Sequence, residues 1–156
     1  MMEFSQMFLN LVVAILLGAL MGWEREVVGK EAGIRTSIMV AGGAAAFAII
    51  GLNLPYIVAT AENVPSVISD NAGFLNVIAN IVVGIGFLGA GIIIKTEERV
   101  HGLTTAAVIW ATAAVGTMAG IGMLEFAATT AIILTGLLYV LRKLGIIETI
   151  RPDRPI

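Results

Sequence analysis

Phe74-Leu-Asn-Val-Ile-Ala-Asn-Ile-Val-Val-Gly-Ile-Gly-Phe-Leu-Gly-Ala-Gly-Ile-Ile-Ile94 runs without one charged side chain. A stretch of this length reaches across the hydrocarbon core of a bilayer as a helix of ~20 residues. It contains a formal GxGxxG at Gly84, Gly86 and Gly89. The dinucleotide-binding reading of that pattern needs a preceding strand and a ribose-binding acid about 20 residues on. Here the glycines sit inside an apolar crossing, so that reading is rejected. Small residues at these spacings let helix backbones approach closely, which predicts tight packing. A backbone-lined substrate path, with the helix bent or unwound at Gly84, Gly86, Gly89 and Gly91, is the alternative.

Four further stretches resemble the first. They run about Gln6 to Trp23, Ile34 to Leu54 (stopping before Pro55), Thr104 to Ile121, and Met123 to Leu141. The expected class is therefore all-α, a polytopic membrane protein of about five transmembrane helices. Composition agrees. Of 156 residues, 58% are hydrophobic and 13% are Asp, Glu, Lys or Arg, against about 25% charged in soluble domains. Mean hydropathy is +0.99. The lipid bilayer acts as solvent for most of this surface. Residues 1–141 read as one transmembrane domain and 142–156 as a basic tail, with no soluble C-terminal domain.

The links differ in kind. Glu24 to Arg35 is short and densely charged. Asn53 to Gly73 is longer and polar, with room for a short surface helix. Lys95 to Gly102 is short and charged. Only Gly120 and Gly122 punctuate the step between the last two crossings, which predicts a tight hairpin. All nine Lys and Arg residues fall in the first link, the third link or the tail. In a five-helix chain these regions share one side, which the positive-inside rule makes cytoplasmic. The N-terminus is then outside and the C-terminus inside. The first segment lacks a basic n-region, so it reads as a retained helix, not a cleaved signal.

An offset of 69 positions superimposes Gly33-Ile-Arg-Thr-Ser on Gly102-Leu-Thr-Thr-Ala. It also brings Gly22 onto Gly91, Lys30 onto Arg99, and Gly51 onto Gly120. This suggests a parallel 2+2 helix repeat plus one helix. Chance likeness between Gly/Ala-rich helices is the alternative.

Candidate functional residues are few. Glu24-Arg25-Glu26 ends the first crossing, and Arg35 and Thr36 open the second. A carboxylate and a guanidinium there would pair and hold the hairpin. Glu24, Glu26, Glu31, Glu97 and Glu98 would converge on one face, which leaves a metal site open, since magnesium accepts one or two carboxylates with retained waters. Asn76 and Asn80, spaced i, i+4, are expected to hydrogen-bond across helices or to line a cavity. The lone histidine, His101, reads as a snorkelling polar group. Gly18/Gly22 and Gly116/Gly120 are further GxxxG pairs.

Several classes are excluded or disfavoured. The chain has no cysteine, so disulfides and thiolate ligands are out. A net charge of -2 gives no reason to expect nucleic acid. No serine has a base in plausible reach, so an enzyme has no support, and no cofactor is implied. No ionisable group falls near the centre of a crossing, where pumps and proton relays usually need one.

Three segments resemble the signatures of the MgtC/SapB family of bacterial membrane proteins. They are Gly18-Ala-Leu-Met-Gly-Trp-Glu-Arg-Glu with Ala32-Gly-Ile-Arg-Thr36, then Gly84-Ile-Gly-Phe-Leu-Gly-Ala-Gly-Ile92, then Gly102-Leu-Thr-Thr-Ala-Ala107. Their order and spacing match, and the likeness covers about Leu11 to Leu141. The resemblance implies a bacterial inner-membrane protein linked to magnesium homeostasis or adaptation to low magnesium. It implies a regulator that binds a partner such as the membrane sector of ATP synthase. Glu24, Arg25, Gly33, Arg35, Thr36, Gly84, Gly86, Gly89, Gly91 and Gly102 are the motif positions it carries over. His101 and Thr104 depart from the Arg and Asn expected of virulence-type relatives. A small magnesium or ion transporter formed by the helix repeat is the alternative function. A homo-oligomer, with a dimer favoured, is the third expectation.

Overall fold

The computed structural model describes residues 1–58, 73–97 and 99–144. They form five long helices: α1 (Phe4–Val27), α2 (Ile34–Val58), α3 (Gly73–Ile92), α4 (Leu103–Gly120) and α5 (Leu124–Lys143). Each is long and apolar enough to cross a membrane. Between α3 and α4 the chain makes a two-stranded antiparallel hairpin, β1 (Ile94–Lys95) and β2 (Val100–His101). Thr96 closes it, accepting from the Arg99 N–H on its hydroxyl and donating from its own N–H to the Arg99 carbonyl. The surface helix expected between Asn53 and Gly73 and most of the basic tail lie outside the described residues.

Helices α1, α2 and α4 pack on one another. Helix α3 lies against α2 and α4, and α5 lies against α1 and α4. The consequence is uneven burial: 61% of the α4 span is buried against 11% for α3 and for α5. Lipid tails are as apolar as leucine, so burial here gains from close van der Waals contact and not from leaving water. The core is accordingly built of small side chains. Ala14, Ala45, Val115, Ala119, Ala127 and Ala131 form one cluster with Met21, and Ala32, Val40, Ala44, Ile109 and Ala113 form another.

Glycine carries the closest approaches. A Cβ added to Gly18 would stand 2.6 Å from the Ser37 carbonyl oxygen and 2.8 Å from the Ala41 Cβ. On Gly120 it would stand 2.6 Å from the Ala45 carbonyl oxygen, and on Gly116 it would meet the Ala41 backbone. Thus Ser37, Ala41 and Ala45, one helical turn apart, receive α1 on one flank and α4 on the other. The GxxxG expectation holds for these two pairs.

Two helices run a turn past the ends that the sequence reading gave them: α1 continues to Val27, and α2 continues through Pro55 to Val58. Proline removes one backbone donor, but only the last turn follows it, so little is lost. The Asn53 amide donates to the Ile49 carbonyl at 2.8 Å, in the turn before Pro55. Helix α3 is continuous from Gly73 to Ile92. The unwinding considered at its glycines is absent: helical backbone runs unbroken through Gly84, Gly86, Gly89 and Gly91.

The turn between α4 and α5 is as tight as expected. Gly122 adopts a φ of +91°, a conformation that favours glycine. Asn10 of α1, fully buried, donates to the Gly120 carbonyl at 3.1 Å and ties this turn to the core. Without that partner a helix-terminal carbonyl would be left unpaired in an apolar setting.

Candidate functional site: a glutamate-centred cluster and an open helix face

Two regions bring together the residues that carry chemistry. The first is at the end of the bundle where the charged links gather. Glu24 and Arg25, in the last turn of α1, are both buried. One Glu24 oxygen meets the Arg25 guanidinium at 3.4 Å and the other meets Arg142 of α5 at 3.3 Å. Arg142 also lies over the Tyr139 ring, 5.3 Å from its centroid. The cation is thus within attraction of the ring while it reaches the carboxylate. One acid thus holds two bases and clamps α5 to α1. The Arg25 Nε is buried without a hydrogen-bond partner among the described residues.

The pairing expected between this cluster and Arg35 is not made. Arg35 is exposed. The first link is fixed instead by carboxylates at helix starts. Glu26 accepts from the Ile34 N–H at 2.9 Å, capping α2. Gly33, whose missing side chain leaves the space, lies directly under that carboxylate. Glu31 accepts from the Thr105 hydroxyl at 3.3 Å in the first turn of α4. The N-terminal ends of helices leave N–H groups unpaired and carry a partial positive charge, so a carboxylate settles there readily. The Glu31 pKa is lowered, first by its own backbone N–H; burial opposes this, and the Thr105 hydroxyl and the nearby Lys30 and Arg25 add to the lowering. No group of three His, Asp or Glu side chains among the described residues is placed to hold a metal ion.

The second region is α3. Gly84, Gly86 and Gly91 have nothing within 4 Å of an added Cβ, and Gly89 only touches Ala106 at 3.5 Å. The tight packing expected of the glycine run is therefore not made, and Gly89 alone has an ordinary contact. The physical reason is that α3 packs through Ile81, Ile85 and Ile92, bulky side chains that hold its axis away from α2 and α4.

Between α2 and α3 this spacing leaves an open groove of about 610 Å³. Thr36, Gly43 and Phe47 line one wall, and Asn80, Gly84 and Leu88 the other. Asn76 and Asn80 are both exposed. Cross-helix hydrogen bonds among the described residues run through Asn10, Asn53 and Thr112 instead.

Sequence reading missed Asn10, Arg142 as a partner of Glu24, and the bonds that Glu26 and Glu31 make at the starts of α2 and α4. Asn10 was detectable, as an amide inside an otherwise apolar crossing. The partner of Glu24 was not, since Arg142 lies more than a hundred positions away and nothing local distinguishes it from Arg35.

A model of the MgtC family matches residues 11–146, a stretch that includes both regions. The chain is 40% identical over 131 residues to the "Protein MgtC" of Brucella abortus (strain 2308), covering 84% of this chain and 49% of that protein. It is likewise 40% identical over 126 residues to the "Protein MgtC" of Salmonella typhimurium (strain LT2), covering 81% of this chain and 48% of that one. The chain thus spans about half the length of these relatives. No solved structure matches it.

Proposed function

Given that the chain belongs to the MgtC family, we propose that it is a non-enzymatic membrane regulator linked to magnesium homeostasis. It sits in the bacterial inner membrane with the Glu24 end in the cytoplasm, and it acts by docking on a partner membrane protein such as the membrane sector of ATP synthase. One observation carries this reading: α3 presents Asn80 and Gly84 on an open groove within a membrane-spanning segment. Amides facing hydrocarbon are costly and mark places where another helix supplies hydrogen bonds. Glycines beside them let that helix come close.

The test is proton pumping by ATP synthase in membrane vesicles with and without this chain. The chain lowers ATP-driven acidification, and Gly84→Leu, which fills the groove, restores it. Pumping that is indifferent to the chain sinks the reading. The same protein reconstituted alone with magnesium and proton dyes gives a flat trace. Saturable flux would make the chain a transporter instead.

A further inference from the structure

Asn76, Asn80, Gly84, Phe87 and Gly91 recur at i, i+4, i+8, i+11 and i+15 along α3, a spacing that puts them on one side of the helix. All five are exposed, Phe87 at 85%. Gly84 and Gly91 leave open space where a side chain would stand.

We infer that this stripe pairs with the same stripe on a second copy of the chain, about a two-fold axis along the membrane normal. The inference rests on the reading that the α3 face is a docking surface, and adds that a second copy competes for it with the regulated partner. Three features select a second copy. Copies of one chain insert with the same orientation, so a symmetric pair has its axis along the normal and sets every residue opposite its own counterpart at equal depth. An asparagine amide is both donor and acceptor, so Asn76 meets Asn76 and Asn80 meets Asn80 with each side's hydrogen bonds answered. An unrelated helix must match both depths by its own sequence; a second copy matches them by symmetry. The glycines then set the approach, one turn and three turns beyond Asn80. Self-paired chains leave no α3 face for the partner, so the abundance of the chain itself tunes its action.

The cysteine-free sequence makes the test direct. Single substitutions Asn80→Cys and Phe87→Cys (the second retains both amides) are oxidised in native membranes. Leu75→Cys and Gly86→Cys, on the far side of the same helix, serve as controls. Disulfide-linked dimers form from the first two and not from the controls. In the Phe87→Cys background, Asn76→Leu with Asn80→Leu lowers dimer yield about three- to tenfold, the range expected of interhelical hydrogen bonds in membranes. Dimers absent at Asn80 and Phe87, or equally abundant at all four positions, overturn the pairing. If dimers are absent while Gly84→Leu still relieves the effect on ATP synthase, the pairing falls and the partner reading stands. If dimers form while pumping is indifferent to the chain, the partner reading falls and the pairing stands.

Discussion

Gly116 of α4 lies against the backbone of Ala41 on α2, in a space that a Cβ would fill. The same contact repeats one turn later between Gly120 and Ala45. Both are backbone neighbours and cannot rotate out of the way, so the α2–α4 seam tolerates only glycine at these two positions of α4.

Gly116→Ala is therefore expected to destabilise the bundle by about 1–3 kcal/mol, the usual cost of overpacking. Gly84→Ala, with open space around it, should stay within about 0.5 kcal/mol of the parent. Unfolding in detergent, followed by circular dichroism, checks the contrast. Equal losses at the two positions would show that α3 is more tightly packed than described.

Asn10→Ala removes the donor to the Gly120 carbonyl and leaves that acceptor unpaired in the core. The expected loss is about 1–3 kcal/mol. Gln6, which donates to the Asn10 side chain at 3.0 Å from an exposed position, should matter far less. A double-mutant cycle of Asn10 with Gly122, whose turn the bond secures, should show coupling, and additivity would place the role of Asn10 elsewhere.

The two arginines around Glu24 should differ. Glu24→Ala strands the buried Arg25 guanidinium, at a cost of about 3–5 kcal/mol. The Arg142 side chain is 38% exposed, so solvent screens it, and Arg142→Ala should cost no more than about 1 kcal/mol. Thermal unfolding of both variants, and of Glu24→Gln, separates loss of charge from loss of packing. A larger effect from Arg142 than from Glu24 would contradict the burial described.

Glu31 predicts a pH dependence. Its folded-state pKa is lowered, so the unfolded chain takes up this proton first as pH falls. The stabilisation is complete above the ordinary carboxylate value and is lost as acid titrates through the depressed one. Glu31→Gln should flatten this acid limb. Thr105→Val should flatten it only in part, because the first contribution comes from Glu31's own backbone N–H. Melting temperatures over the acid range would reveal the difference, and identical profiles for parent and Glu31→Gln would refute it.

Much of the architecture was legible because the bilayer sets a length. Five apolar stretches of about 20 residues, with charge only at their ends, allow little but helices, and the observed boundaries differ by a few residues. The gathering of charged links at Glu24, and the hairpin at Gly122, followed from where charge and glycine fall. The family likeness carried by Gly18–Glu26, Ala32–Thr36, Gly84–Ile92 and Gly102–Ala107 also came from sequence alone.

What sequence could not decide was direction. Gly18/Gly22, Gly116/Gly120 and the α3 glycines are locally alike, yet the first two pairs are pressed against α2 and most of the third set lies open. In a soluble helix, polar residues mark the outward side; in lipid both sides are apolar, and no such contrast reports which face meets protein. Only the packing of α1, α2 and α4 assigns those faces, just as the packing of α5 on α1 brings Arg142, and not Arg35, to Glu24. Element number, length and charged end are properties of the chain in its solvent, whereas the buried glycines, the clamp and the exposed amides exist only once the helices have found one another.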